Sequence, residues 1–192
     1  MRTPWGYDVS ETIRPLLSVL EFNAMTGNAY AENLRAEAAL KAASQAVRNY
    51  CGWHVCPSME CTAEPSGEGN MLRLPAAYVS AIDSVTENDE AVTDYEWRKD
   101  GLLRRSTPWT GKWGGIEVTY TAGYSIDAVP DLAEAVCAIA SGVLSVSAGV
   151  MSESADGVSI SYSANASSIA AALTSQQKAA LDTYRVRGSH AA

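Results

Sequence analysis

Three cysteines and one histidine near the end of a predicted helix are of the residue types that bind zinc. Cys51, His54, Cys56 and Cys61 follow one another with the cysteine spacing C-x4-C-x4-C, which differs from the paired C-x2-C of common zinc modules. A zinc site and a disulfide are both open alternatives. Because the outer cysteines fall on different predicted elements, we expect reduced, partly buried thiols and no metal or cofactor. Cys137 lies in a helical pattern and is predicted to be a small core residue.

Catalytic constellations are not found elsewhere. The chain has two histidines, and it contains no nucleophile elbow, no phosphate-binding loop and no dinucleotide fingerprint. The Trp-Gly-Gly sequence at 113–115 is followed by a strand pattern, so it is interpreted as a turn between strands. Glu153 and Asp156 are close in sequence, but they lie in a segment rich in serine and glycine and have no third partner. We therefore expect a protein that is not an enzyme, and a hydrolase of unrecognised type, built from carboxylates that are distant in sequence, is left as a remote alternative.

Composition sets the class of protein. Of the 192 residues, 47 % are hydrophobic and 19 % are charged, which is enough to bury a core. The chain has 14 basic and 22 acidic residues, and the resulting net charge of -8 argues against free, sequence-independent binding to nucleic acid. The sequence has no apolar run near 18 residues, so no membrane span is expected. Its first residues lack the apolar core of a signal peptide, and we expect function without secretion.

Two helices are predicted before residue 57. Ser18 and Glu21 have the spacing of a capping box, and the short helix that they begin should end at Gly27. An alanine-rich helix is predicted from residue 28 or 29 to Gly52, with Leu34, Ala38, Val47 and Tyr50 able to share one face. Leu34 and Ala38 are candidates for contact with another subunit.

From 57 to 124 the pattern changes to short alternating runs separated by glycine, proline and turn residues. Asn88-Asp89 and Asp100-Gly101 are hairpin signals. Trp97, Trp109 and Trp113 add large apolar surfaces. The predicted strands are 59–63, 71–74, 79–87, 94–99, 102–106 and 116–121.

Helical periodicity returns at Pro130, which suits a first turn. Apolar residues recur every three or four positions in a stripe. The stripe is longer than one neighbouring helix needs, so we expect part of it to contact another subunit. Its members are Val129, Leu132, Val136, Ile139, Val143, Val146 and Val150, and the last five are the subunit-interface candidates.

The remaining residues comprise a segment rich in serine, alanine and glycine, a short helix and a tail. A strand is predicted at 158–162, and Thr174 with Gln177 forms a second capping box before a helix that runs through Tyr184. The fold class is thus α+β: a small bundle of about four helices with a β-subdomain inserted between helices 2 and 3. We expect an extended or partly ordered arm at 1–17, a helical core at 18–56 and 125–187, the β-subdomain at 57–124, and a tail at 188–192.

Charge is unevenly distributed along the chain. Between residues 113 and 177 there is no lysine or arginine, although the same span holds six acidic residues. A solvated acidic face and a surface that must not bind polyanions are both open interpretations. The six are Glu117, Asp127, Asp131, Glu134, Glu153 and Asp156.

Four sequence segments, taken in order, resemble the phage head–tail connector (adaptor) proteins, the gp6-like family of long-tailed phages and gene-transfer particles. They are RNYCGWHVCP, LRLPAAYVSAIDSV, IEVTYTAGYSIDAVPDLAEAV, and VMSESADGVSISYS followed by LTSQQKAALDTYR. Together they span about residues 18–187.

The resemblance implies a structural protein of the virion neck, made in the host cytoplasm. Such adaptors form a homo-oligomeric ring, usually twelve-fold, between the portal and a head-closure (stopper) or tail protein, and DNA passes through the channel without specific binding. Helices usually carry the subunit packing, and the C-terminal segment usually reaches the portal, which makes Tyr184, Arg185 and Arg187 portal-binding candidates. Glu153 and Asp156 are channel-facing candidates. Another neck ring, a stopper or a tail-completion protein, is an alternative, and a zinc-binding module is a more distant one.

Overall fold

Alternating apolar and polar residues form the strands between residues 59 and 122. The computed structural model describes residues 1–31, 33–145, 152–155, 158–161 and 173–186. These divide into a β unit, which comprises residues 1–13, 51–128 and 184–186, and a helical unit, which comprises the described residues of 14–50 and 129–183. In chain order, the strands from 59 to 122 follow the second helix and precede the third.

The β unit contains two antiparallel sheets. The strands are β1 (Asp8–Val9), β2 (Met59–Ala63), β3 (Gly67–Glu68), β4 (Met71–Arg73), β5 (Val79–Glu87), β6 (Glu90–Ala91), β7 (Tyr95–Trp97), β8 (Leu102–Arg105) and β9 (Ile116–Ala122). All six strands predicted for this part of the chain are present, each within two residues of its predicted bounds. The larger sheet has the order β1-β2-β9-β5-β6, and the smaller sheet has the order β3-β4-β8-β7.

Strand β9 is the central strand of the larger sheet, with β2 on one side and β5 on the other. Its alternate residues Ile116, Val118, Tyr120 and Ala122 are buried, whereas Glu117 is exposed. This period of two is the pattern of a strand with one face on the core. Register is therefore fixed, because a shift by one residue would bury the polar set.

Both predicted hairpin turns are confirmed. Asn88 and Asp89 have positive φ angles of 53° and 69°, and they join paired residues of β5 and β6. Two consecutive positive φ angles define the type I′ turn, which asparagine and aspartate tolerate better than other side chains. Gly101, at φ 76°, turns the chain between β7 and β8.

The helical unit contains helices α1 (Val19–Met25), α2 (Ala36–Cys51), whose last residue lies in the β unit, α3 (Pro130–Ser145) and α4 (Ser175–Leu181), and a hairpin of β10 (Ser152–Ala155) and β11 (Val158–Ser161). Both predicted capping boxes are formed, Ser18 with Glu21 and Thr174 with Gln177. No helix in the described part of the chain is long and apolar enough to cross a membrane.

The predicted start of α2 at residue 28 or 29 is wrong. Asn28 has a φ of 63°, and the backbone N–H groups of Ala29, Ala31, Asn33 and Ala36 each donate to the carbonyl three residues earlier, as in a β-turn, and not to the carbonyl four residues earlier, as in an α-helix. The side chain of Asn33 accepts a hydrogen bond from the backbone N–H of Arg35 at 2.9 Å, a local bond that competes with helix formation. The helix begins one residue later, at Ala36.

The predicted face of α2 is also wrong, except for Val47. Leu34 precedes the helix and Ala38 is exposed, whereas Leu40, Ala43 and Val47 are buried. At 100° per residue, positions 38 and 47 lie far apart around the helix axis. The sequence does not show which side of this helix is buried, because alanine is compatible with both buried and exposed positions.

The N-terminal residues, predicted as an extended or partly ordered arm, are packed by two anchors. In the β unit, Val9 in β1 pairs with Cys61 in β2, and Tyr7 is buried. In the helical unit, the backbone N–H of Leu16 donates to Ser44 Oγ at 2.8 Å. Strand pairing and buried apolar side chains therefore compensate for the loss of backbone entropy in this segment.

Gly123 is expected to be irreplaceable at the end of β9. Its φ is 107°, and a Cβ there would overlap the carbonyl oxygen of Pro57 and lie 2.8 Å from Nε2 of His54. We expect Gly123→Ala to lower the free energy of unfolding by at least about 2 kcal/mol, measured by urea denaturation.

Gly142→Ala is the matched control, because Gly142 lies in α3 with open space around its Cα. We expect this substitution to stabilise the protein by roughly 0.5–1 kcal/mol. Equal stabilities of the two variants would contradict the constraint assigned to Gly123.

Candidate assembly interface

Six aromatic rings of the β unit form a cluster that we call the aromatic junction. Their ring centroids lie 4.6 to 6.1 Å from the next ring, in stacked and edge-to-face arrangements. Such pairs contribute stability beyond the area that they bury. The rings come from the N-terminal residues, the segment after α2, the segments before β5 and after β9, and the C-terminal segment. They are Tyr7, Trp53, His54, Tyr78, Tyr124 and Tyr184.

His54 is fully buried at the centre of this junction. The Tyr7 hydroxyl oxygen accepts the backbone N–H of His54 at 3.0 Å and lies 2.8 Å from His54 Nδ1. Nε2 lies 3.1 Å from the carbonyl oxygen of Ala122, which can only accept. A neutral ring with its proton on Nε2, accepting the Tyr7 hydroxyl proton at Nδ1, satisfies all three contacts.

The zinc alternative is not supported by the geometry of these residues. Both ring nitrogens of His54 face protein oxygens, and the described residues contain no group of three histidine, cysteine or acidic side chains placed to hold a metal ion. All four cysteines are in the described part and are reduced. Burial raises the pKa of the Cys61 thiol to about 12, which disfavours the thiolate that zinc requires.

The junction also fixes the start of the C-terminal segment. Trp53 Nε1–H donates to the carbonyl oxygen of Tyr184 at 2.7 Å, and the backbone N–H of Val186 donates to Cys51 at 3.1 Å. Tyr184 is only 8 % exposed, whereas Arg185 is exposed. Tyr184 thus anchors the segment within its own chain. Arg187 lies outside the described residues.

The interface candidates on α3 differ in exposure. Val136 is fully buried, whereas Ile139 and Val143 are half-buried. The buried line of the helix follows Leu132, Val136, Ala140 and Leu144 at four-residue spacing, which places Ile139 and Val143 at its edge. Val146 and Val150 lie outside the described residues. A subunit contact for any of these residues stays a prediction.

The interface candidates near the start of α2 are on the surface. Leu34 is 99 % exposed and Ala38 is exposed. Leu20, in α1 of the same unit, is also largely exposed. Exposed apolar residues are ordinary on a protein surface, so a subunit contact for Leu34 or Ala38 stays a prediction.

The helical unit also has an open, mostly apolar groove of about 410 Å³. It lies between the segment that leads into α1 and the first half of α2. Two acidic side chains, Glu21 and Glu37, border it together with one basic side chain, Arg14. The apolar and capping residues that line it are Pro15, Leu16, Leu17, Ser18, Val19 and Leu40.

The channel-facing candidates can be placed only in part. Glu153 lies in β10, where the backbone alone is described, and Asp156 lies outside the described residues. The other four acidic residues of the segment without basic residues, Glu117, Asp127, Asp131 and Glu134, are exposed.

The sequence predicts a turn only at 113–115, and the loop at 106–115 to which that turn belongs was missed. Trp109 is 5 % exposed, whereas Trp113, four residues later, is 95 % exposed. The available signal was the turn chemistry around Trp113, since a side chain at the tip of a Gly-rich turn has little chain around it to cover it.

One family model covers most of the chain. The model of the family described as head completion protein matches residues 15–186. No curated protein sequence matches the chain.

Three solved structures contain chains with a similar fold. A chain in the neck of an empty gene transfer agent (GTA) particle, computed with C6 symmetry, aligns with a TM-score of 0.63 and 19 % identity, over 96 % of this chain and 98 % of that one. A chain in the neck of a native GTA particle, computed with C12 symmetry, aligns with a TM-score of 0.61 and 17 % identity, over 96 % of this chain and 98 % of that one. A chain in the virion of a native GTA particle aligns with a TM-score of 0.60 and 20 % identity, over 95 % of this chain and 96 % of that one.

Tyr7→Phe tests the centre of the aromatic junction. The substitution removes the oxygen that contacts both the backbone N–H and Nδ1 of His54. We expect it to lower the free energy of unfolding by about 1–3 kcal/mol, because buried polar groups then lose their partner. Urea denaturation measures the loss.

Tyr30→Phe is the control, since Tyr30 stacks on Phe22 and its hydroxyl makes no hydrogen bond among the described residues. We expect a change of less than about 0.5 kcal/mol for this variant. A Tyr7→Phe protein as stable as the Tyr30→Phe protein would contradict the assigned role of the hydroxyl.

Proposed function

Because the family model matches residues 15–186, the chain belongs to the head completion protein family, and we propose that it is a structural component of the neck of a tailed phage or phage-like particle. In this proposal the chain has no catalytic role. It forms a homo-oligomeric ring between the portal and a head-closure or tail protein, as a head–tail adaptor does, and DNA passes through the ring.

The observation that carries the proposal is the extent of the fold similarity. Each alignment to a GTA chain covers at least 95 % of both chains, so the whole chain, and not a common substructure, shares the fold. Two of those chains belong to necks. A ring of twelve copies is our preferred state, since a twelve-fold ring is compatible with both the C12 and the C6 symmetry applied to those necks.

A closed ring requires two different surfaces on each subunit, because its contacts are heterologous. We assign the first to the exposed residues Leu34 and Ala38 with the groove of the helical unit. We assign the second to the edge of α3 at Ile139 and Val143, which are half-buried in the single chain. Val136, being fully buried, supports the second surface from within the core, and Val146 and Val150 would extend it.

The acidic segment suits a surface that faces DNA without holding it. Carboxylates repel phosphates, and a chain with a net charge of -8 offers few cations for counterion release. We assign Glu153 and Asp156 to this channel surface, together with whichever of the exposed acidic residues the ring turns inward.

The C-terminal segment is assigned to the portal. Its start is held by Trp53, which donates to Tyr184, so the exposed Arg185 is presented at a defined point on the surface of the β unit. A peptide that is fixed at one end loses less conformational entropy when it binds, and this favours a segment that inserts into a partner.

Mixing the chain with its cognate portal tests the adaptor role. We expect a ring-on-ring complex in electron micrographs, and at least tenfold weaker binding for the double variant Arg185→Glu, Arg187→Glu, because reversal of two charges replaces attraction by repulsion. No complex between two folded proteins would contradict the proposal. A ring that binds only a protein beyond the portal-proximal ring would instead identify a stopper or tail-completion protein.

Leu34→Asp tests the first ring surface. Because the Leu34 side chain is 99 % exposed, the free energy of unfolding should stay within about 0.5 kcal/mol of the parent. In the assembled interface the new carboxylate would be buried without a partner, so we expect at least tenfold weaker ring assembly, measured on the portal complex.

Met71→Asp is the matched control, since Met71 is also a well-exposed apolar residue but lies on β4 of the β unit. It should leave ring assembly unchanged. If both variants assemble as the parent does, Leu34 is not part of the ring contact.

A further inference from the structure

The first residues of the loop at 106–115 are bound to a largely buried ion pair. Arg105 Nη2 lies 2.7 Å from a carboxylate oxygen of Glu87, and the side chains are 6 % and 15 % exposed. The same guanidinium donates to the carbonyl oxygens of Thr107 at 2.8 Å and Pro108 at 3.1 Å. A planar donor that binds a carboxylate and two carbonyls fixes the backbone between them.

Trp109 closes the base of the loop. Its ring lies under the Arg105 guanidinium at 4.3 Å, and its backbone N–H donates to Gly69 at 2.8 Å. A Cβ at Gly67 would overlap Trp109, which shows how closely the β3 backbone approaches the ring. The large apolar residue that the loop needs for its own stability is therefore Trp109.

Trp113 lies at the tip of this loop, where backbone hydrogen bonds form a tight turn. The backbone N–H of Gly115 donates to Lys112 at 3.0 Å across a tight turn, in which Gly114 has a φ of 67°. The Asn88 N–H binds Gly115 at 2.7 Å and ties the turn to the β5–β6 hairpin. The loop thus presents a tryptophan side chain that is 95 % exposed and that its own fold does not use.

The groove of the helical unit has the complementary properties. It is open, mostly apolar and about 410 Å³ in volume, so an indole ring can enter it. Of its two carboxylates, Glu21 is already bonded to the Ser18 backbone N–H in the capping box at 2.7 Å. Glu37 makes no ion pair among the described residues, and the same is true of Lys112, beside Trp113.

We propose that Trp113 of one copy binds in the groove of the next copy, with Lys112 facing Glu37. This inference rests on the proposed ring, and it adds the loop at 106–115 to the surface that meets the groove of the next copy. A ring contact joins two different surfaces of the same chain, and an exposed aromatic side chain with an open apolar groove is such a pair. The opposite charges next to the two features set their orientation. With a net charge of -8, a protein surface fits this loop better than nucleic acid or an anionic membrane does.

Disulfide trapping with full-length chains tests the contact, because it captures even a weakly populated pair. One chain carries Gly111→Cys, close to Trp113 but in open space, and the other carries Val19→Cys in the groove. Both carry Cys137→Ser, since the other three native cysteines are buried. Mixing under mild oxidation should give the mixed disulfide dimer, quantified by mass spectrometry.

Trp113→Ala in the Gly111→Cys chain should slow trapping about thirtyfold, which corresponds to about 2 kcal/mol at 1.4 kcal/mol per factor of ten. Trp97→Ala, which removes a partly exposed tryptophan from β7, is the matched control and should leave the rate unchanged. Lys112→Glu should slow trapping, and Glu37→Lys in the partner chain should restore the rate.

Trapping that is absent, or that is unaffected by Trp113→Ala, would overturn the inference. The portal-binding experiment is read separately. If the wild-type chain forms a ring on its portal while trapping is independent of Trp113, the proposed function stands without this contact. If trapping depends on Trp113 but the chain does not bind a portal, the self-contact stands and the adaptor role is wrong.

Discussion

One hydroxyl group determines where the separate segments of the β unit meet. The oxygen of Tyr7 contacts both the backbone and the ring of His54, and the other side of that ring contacts the end of β9 at Ala122. Because each partner is buried, displacement of one segment would leave polar groups of the others without their bonds. The close approach at Gly123 follows from the same arrangement, since His54 and Pro57 occupy the space that a side chain would need. The backbone conformation at Gly123, directly after β9, is therefore specified by residues more than sixty positions away.

Local patterns in the sequence predicted most of the elements, and contacts between distant residues account for what was missed. The capping residue Ser18, the hairpin turn at Asn88 and the alternation of β9 act over a few residues, so their signals can be read directly. Tyr7 and His54 are 47 positions apart, and nothing local marks either one as the partner of the other. The early turns before α2 are an intermediate case. Alanine-rich composition favours a helix, but the asparagine side chain at 33 offers the backbone a competing bond.

Exposure divides residues that are chemically alike, and this is why the candidate interface was only partly predictable. Trp109 and Trp113 are four positions apart, yet one is covered by Arg105 and the other is in solvent. Leu34 and Leu40 differ in the same way at the start of α2. Sequence alone identifies an excess of apolar residues, but it does not separate those that stabilise the monomer from those left for a partner. That division depends on long-range packing, here on the Arg105–Glu87 pair and on the turns that precede Ala36.

The proposed function requires that copies of the chain associate only at their assembly site, and the small number of exposed apolar residues suits that requirement. The exposed apolar residues are dispersed, and each contact that they could make is small, so two free copies would associate weakly. In a closed ring every subunit makes such a contact on both sides, and attachment to a common base raises the effective concentration of neighbouring copies. Weak individual contacts then become sufficient. In the proposed ring, the hydrogen-bonded loop that carries Trp113 and the anchored start of the C-terminal segment would lower the entropy that remains to be lost on assembly, and the acidic surface would disfavour binding to nucleic acid before the ring is complete.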